Sequence, residues 1–231
     1  SCSPCGIVFE YGPTSSYGQA NGRTEIPGPV HKPVSTGLTG LTPGTTYHYR
    51  LKLENEEGTF YGADHMVRTY TDQTLTDADN NEYYTAVIGS QTWMAQNLRT
   101  TKYKDGTAIA RVTETEAWSA LTTPAFCWSD NDSVHYSAEG AIYNWYAIST
   151  SKLCPAGWHV PSSSEWSLLF SSVTGREAGL MEGEFGYYND FLWTSSVNQT
   201  GFSAEMARMR SSEGYFGGNN YSHFWTSSES N

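Results

Sequence analysis

Basic residues are scarce in this chain. Its 231 residues include 13 Lys or Arg against 24 Asp or Glu, a net charge of −11. The basic residues are scattered singly, which excludes nucleic acid and anionic membrane surfaces as partners, since both need clustered cations. Long hydrophobic runs are missing too: no stretch of about eighteen apolar residues occurs, so no membrane-spanning segment is expected. A starting Met and a signal peptide are both absent, and we expect a mature or excised piece.

Catalytic signatures are equally thin. There is no nucleophile elbow, phosphate loop or dinucleotide fingerprint. His31, His48, His65, His135, His159 and His223 lie far apart, with no pair at metal-binding spacing. His159 is expected to be packed or hydrogen-bonded rather than a ligand. Glu182 and Glu184 are neighbours without a partner carboxylate in a defined cleft, so glycosidase chemistry is not expected. The expectation is no enzyme, no metal and no cofactor.

Aromatic residues, by contrast, make up 14% of the chain, with 22 Gly and abundant Ser, Thr and Asn. That composition suits a loop-rich extracellular module. The length allows one large or two modest domains with their own cores.

Four cysteines allow three pairings. Cys2 and Cys5 form a Cys-x-x-Cys knuckle, but zinc would want a second knuckle or a His pair, and redox chemistry a strand–helix junction. We expect disulfides Cys2–Cys5 and Cys127–Cys154, hence an oxidising compartment. Closing the second loop contributes ~3–4 kcal/mol in the chain-entropy model.

Residues 6–70 read as all β. Gly6–Tyr11 alternates, Ser16–Ala20 gives a second short strand, and Val34–Leu41 a third. In Thr46–Leu53 the residues Tyr47, Tyr49, Leu51 and Leu53 alternate inward, Asn55–Gly58 turns, and Thr59–Arg68 returns. Strands of this length between regular turns indicate a β-sandwich. Leu41-Thr-Pro-Gly-Thr-Thr-Tyr-His-Tyr-Arg50 with Asn55-x-x-Gly58-Thr-x-Tyr61-Gly62 resembles the last three strands of a fibronectin type III domain. Val8-Phe-Glu-Tyr-Gly12 with Ser16-Tyr17-Gly18 resembles its middle strands. The resemblance leaves the first two strands without counterpart, so we expect them upstream or from a neighbouring molecule. Residues 71–76 form a linker.

The rest, 77–231, is mixed α and β. Asp77-Ala-Asp-Asn-Asn81 has the spacing of a calcium loop, but its twelfth position is Ile88, not Glu. A hairpin turn is expected there, and structural calcium is not favoured. Short helices are expected at Thr113–Leu121 and Glu139–Ser149, with a polar loop over Phe126–Asp132. Lys152–Trp166 is the densest stretch, holding Cys154, Pro155, Gly157, Trp158, Pro161 and Trp166. Ser162 and Glu165 have the spacing of a capping box, and Trp166, Leu169, Phe170 and Val173 follow on one apolar face. We read it as scaffold. Phe191–Ser196 and His223–Ser228 echo each other as two similar edge strands.

Several segments together resemble the Fibrobacter succinogenes major paralogous domain over roughly 75–231. They are Gln91-Thr-Trp-Met-Ala-Gln-Asn-Leu98 with Tyr103-x-Asp105-Gly106-Thr107-x-Ile109, Gly140-Ala-Ile-Tyr-Asn-Trp-Tyr-Ala147, and Leu153-Cys-Pro-Ala-Gly-Trp-His-Val-Pro161-x-x-x-Glu165-Trp166. Gly201-Phe-Ser-Ala204 and Phe224-Trp-Thr-Ser-Ser-Glu229 fit its later motifs. The resemblance implies a C-type lectin-like α+β fold, two main helices on a twisted, mostly antiparallel sheet. It also implies a closing strand with its own cysteine, which this chain does not reach, so Cys154 is left to Cys127 or to stand free. The catalytic cysteines and metal ligands of enzymatic relatives have no counterpart here.

Binding is therefore the expected role. The Tyr/Asn/Ser-rich segment 210–223 and the strand after it offer Tyr215, Phe216, Asn219, Asn220, Tyr221, His223 and Trp225 for a glycan or surface-protein ligand. The alternative for this segment is an ordinary glycine-rich loop. The host would be a Bacteroidetes-type bacterium, and the protein secreted, extracellular or on the outer-membrane surface. Asp132-Ser133-Val134 fits the O-glycosylation pattern of that group, at Ser133. A second expectation is a structural subunit that self-assembles with neighbouring copies by β-strand complementation.

Overall fold

The fold comes from a computed structural model, which describes residues 5–27, 34–173, 200–203, 208–217 and 224–228. It is rich in β-structure, with few helices.

One antiparallel sheet occupies the N-terminal region. Its centre is β1 (Cys5–Gly12) against β4 (Thr46–Asn55); β2 (Gln19–Ala20) and β3 (Thr24–Ile26) flank β1, while β5 (Gly58–Tyr61) and β6 (His65–Arg68) flank β4. Register pairs Ile7 with Leu53, Phe9 with Leu51 and Tyr11 with Tyr49, so the expected apolar alternation does lie on one face. The other face is charged. There the Arg50 guanidinium bonds Glu10 at 2.7 Å and lies between the rings of Tyr17 and Tyr61, 4.4 and 4.0 Å from their centroids.

Three strand expectations need correction. The return strand is split, because β4 advances from Tyr49 to Lys52 while its partner runs from His65 back to Tyr61, one residue more. That is a β-bulge, bonded where the Gly62 amide reaches the Leu51 carbonyl. Ser16–Ala20 is strand only at Gln19–Ala20, since Tyr17 takes a φ of 58°. Val34–Leu41 carries no strand; its glycines weaken any extended pairing. Among the described residues no second sheet covers the apolar face.

Two smaller sheets follow. Strands β7 (Thr74–Thr76), β8 (Glu82–Ile88) and β9 (Gln91–Met94) form an antiparallel meander. The expected turn at Asp77–Asn81 joins the first two, built on the Asp77 carboxylate. The second sheet holds β10 (Ala110–Arg111), parallel to β11 (Ala125–Cys127), which pairs antiparallel with β12 (Ile142–Tyr143). The loop expected at Phe126–Asp132 thus begins as a strand, with Phe126 and Trp128 buried.

The helices are α1 (Thr115–Ser119), α2 (Ser133–Tyr136), α3 (Trp145–Ile148) and α4 (Ser163–Ser172). The single helix expected over Glu139–Ser149 does not form. Gly140 has a φ of 91°, and a Cβ there would sit 2.4 Å from Asn97 Cβ, so the chain must open at this point. Asn144 then caps α3 by accepting the Ala147 amide, leaving Ile142 and Tyr143 free to pair as β12. Among the described residues only α4 is long, and its capping box forms as expected, with Ser162 Oγ and the Glu165 carboxylate exchanging bonds with each other's amides. Leu169 and Val173 are buried on its inner face, but Phe170 is 50% exposed. A last hairpin, β13 (Met209–Arg210) with β14 (Phe216–Gly217), lies against α1.

Three cores result. Ala86, Ile88 and Trp93 of the meander pack on Leu169, Val173 and Phe202. Phe126, Trp128 and Tyr143 pack with Ile148 and Leu153. Trp118, Ala125 and Cys127 form the third, with Phe216 against them. Burying a side chain such as Leu169 stabilises by roughly 2–3 kcal/mol.

Candidate functional site

A cavity of about 540 Å³ opens between the first two cores. The turn at Pro155–Trp158 builds one wall. The Trp158 amide bonds the Pro155 carbonyl at 3.0 Å, and Gly157 takes the positive φ of 84° that this tight turn requires. Trp158 and Val160 then line the cavity, with Trp166 from the first turn of α4 beside them.

Segment 224–228 crosses the start of α4. The Ser227 amide bonds the Pro161 carbonyl at 2.8 Å, and the Ser163 amide bonds Ser228 Oγ at 3.0 Å. Its aromatic pair thereby joins the wall: Phe224 lies 5.4 Å from Trp166, and Trp225 lies 5.9 Å from Trp145, ring to ring. The indoles are tied in series. Trp166 Nε1 donates to the Trp225 carbonyl at 3.2 Å, and Trp225 Nε1 donates to the Tyr143 carbonyl at 2.9 Å.

Polar groups punctuate these walls. Asn97 Nδ2 donates to the Glu139 carbonyl, and Glu139 accepts from Ser129 Oγ. His159 Nε2 lies 2.8 Å from Glu165 Oε1. The amide and hydroxyl of Ser162, joined by His159, hold the Glu165 carboxyl down at about 2, so it stays anionic. The Trp158 indole N–H has no hydrogen bond among the described residues. An aromatic trough with a few polar anchors and a volume in this range can hold a ligand of several rings or residues. Among the described residues no group of three or more His, Cys, Asp or Glu could hold a metal ion, and no helix is long and apolar enough to cross a membrane.

Of the residues expected to bind, the three described ones are dispersed. Trp225 lines the cavity, half-exposed. Tyr215 is 69% exposed at the tip of the β13–β14 hairpin, outside the cavity. Phe216 packs on the Trp118 core with the Arg210 guanidinium 5.0 Å from its ring. Asn219, Asn220, Tyr221 and His223 lie outside the described residues. Ser133 opens α2, partly exposed, directly after the capping Asp132. Asp77 and Asp79, the candidate calcium ligands, are engaged by protein donors.

The expected Cys127–Cys154 disulfide is not formed; both are free thiols. Alternation along β11 explains this. Phe126 and Trp128 face the core that buries Leu153, so Cys127 between them faces the opposite way, toward Trp118 and Arg210. Cys154 stays on the Leu153 side and lines the cavity, and burial pushes its thiol up to about 11. Cys2 lies outside the described residues, and Cys5 is a buried thiol.

Sequence reasoning missed the cavity because two of its walls, Trp158 and Trp166, read as scaffold. The available signal was a surplus of tryptophan over the aliphatic residues needed to pack it. A β-rich module whose cores flank an aromatic-walled cavity is the class these features define. The chain belongs to the Fibrobacter succinogenes major domain family, whose family model matches residues 87–231. No curated protein and no solved structure matches it.

Proposed function

We propose that this chain is a non-catalytic binding protein, secreted or at the cell surface of a Bacteroidetes-type bacterium, which takes a glycan or surface-protein ligand in the cavity beside α4. The observation that carries this reading is the 540 Å³ trough walled by Trp158, Trp166 and Trp225. Indole faces stack on the apolar faces of sugars or peptides, and the unpartnered Trp158 N–H supplies a directional contact. In this reading residues 77–231 take a C-type lectin-like arrangement, and the N-terminal sheet is one layer of a fibronectin type III-like sandwich. Glycan-array and surface-protein binding by the whole chain, repeated with Trp158→Ala, tests it. Binding that falls at least tenfold in the variant supports the reading; silence on both arrays sinks it.

A second reading has its own observation. Phe9, Tyr49, Leu51 and Leu53 share a sheet face and are only partly buried, as in a subunit whose face a neighbouring copy completes by strand complementation. A monomer at micromolar concentration in sizing experiments would remove it.

A further inference from the structure

We infer that the occupant of the cavity is an extended polypeptide, bound by adding a strand to the open edge of β9; this rests on the proposed binding role of the cavity. Four consecutive residues, Gln91 to Met94, line the cavity. Side chains of successive strand residues point to opposite faces, so a cavity touched by all four runs along the edge of β9 rather than over one face. Among the described residues the meander ends at β9, which pairs only with β8.

Hydrogen-bond phase identifies the groups presented there. The Ala95 amide bonds the Tyr84 carbonyl at 2.9 Å, turning Ala95 toward β8. Peptide groups alternate along an antiparallel ladder, so those of Thr92 and Met94 turn outward to the cavity. Among the described residues nothing bonds either of them. The opposite side of the cavity differs. The Ala141 amide, just before β12, is taken by the Leu98 carbonyl, and the Tyr143 carbonyl on β12 by the Trp225 indole. One edge is capped by the fold; the other is open.

A sugar would leave the two peptide groups of β9 with an irregular set of hydroxyls. A strand satisfies both with the regular spacing that its own backbone carries, while its alternate side chains meet the indoles. The net charge of −11 favours a cationic strand.

Cys154 provides the readout, because it lines the same cavity while Cys5 and Cys127 are buried. Alkylation of Cys154 in the intact chain, followed by peptide mass mapping, is measured with three probes. One is a blocked heptapeptide alternating valine with lysine. The second is the same peptide with alternate amides N-methylated in each register, and the third a set of soluble oligosaccharides. The parent peptide is expected to slow alkylation at least threefold. N-methylation in one register but not the other should weaken this about tenfold, the equivalent of one or two lost hydrogen bonds. Met94→Pro, which removes an outward amide while sparing the β8 ladder, should abolish protection by the peptide. Equal protection by both N-methylated peptides would overturn strand addition. Protection by oligosaccharides with none from peptide would also overturn it, while leaving the cavity as the binding site. No protection by any probe would remove both.

Discussion

The indole N–H of Trp225 donates to the backbone carbonyl of Tyr143 at 2.9 Å, across 82 residues of sequence. Tyr143 belongs to β12, and Trp225 to a segment seated on the start of α4, so this bond joins two cores across the cavity. Trp225→Phe keeps a ring but leaves the Tyr143 carbonyl unpaired. A loss of about 1–2 kcal/mol is expected in urea denaturation. An unchanged midpoint would mean that the segment's other bonds, from Trp166, Ser163 and Ser227, hold it without this one.

The α4 capping box gives a pH signature. Ser162→Ala removes the acceptor of the Glu165 amide and should cost about 1 kcal/mol. The folded pKa of Glu165 is about 2, below the ~4.3 of an unfolded chain. Its contribution is therefore complete above about pH 4.3 and lost as pH falls toward 2. Stability against pH, measured for wild type and Glu165→Gln, should differ in slope only within that window. Parallel curves there would contradict the assignment.

The thiols are predicted to differ in reactivity. Under non-reducing denaturing conditions both Cys127 and Cys154 should take up iodoacetamide, and in the native protein Cys154 should react first. High pH should accelerate Cys154, whose thiol titrates near 11. A mass-mapped peptide linking Cys127 to Cys154 would overturn the free-thiol assignment.

What was legible in the sequence has local determinants. The Ser162–Glu165 box lies within one turn, and the alternation of Thr46–Leu53 is a property of one strand. What was illegible is imposed from far away. The break at Gly140 follows from Asn97, whose side chain reaches the Glu139 carbonyl 42 residues on. The disulfide expectation failed because spacing along the chain says nothing of which side of β11 a thiol faces. The cavity was hidden for a related reason: tryptophans that pack a core and tryptophans that wall a trough share one sequence pattern. Only the open edge of β9 and the Trp225 bond distinguish them.

The turn between β7 and β8 yields the sharpest stability prediction. Asp77 is only 8% exposed. Its Oδ1 accepts the amides of Asp79 and Asn81 at 2.8 and 2.9 Å, and its Oδ2 accepts Asn81 Nδ2 at 2.9 Å and the Tyr83 hydroxyl at 2.6 Å. Asp79 is used likewise: burial alone would raise its carboxyl, but the Thr101 amide, Lys102 and the Thr100 and Thr101 hydroxyls outweigh it and hold it low. Asp77→Ala would leave several donors buried without an acceptor, at a cost of about 3 kcal/mol. Asp77→Asn, which keeps one acceptor oxygen, should lose less. A calcium ion would have to displace these N–H and O–H donors from carboxylate oxygens they already fill. Millimolar calcium is therefore expected to shift the melting temperature no more than sodium chloride of equal ionic strength. A specific rise with calcium, lost in Asp77→Asn, would show instead that the donors yield to the ion.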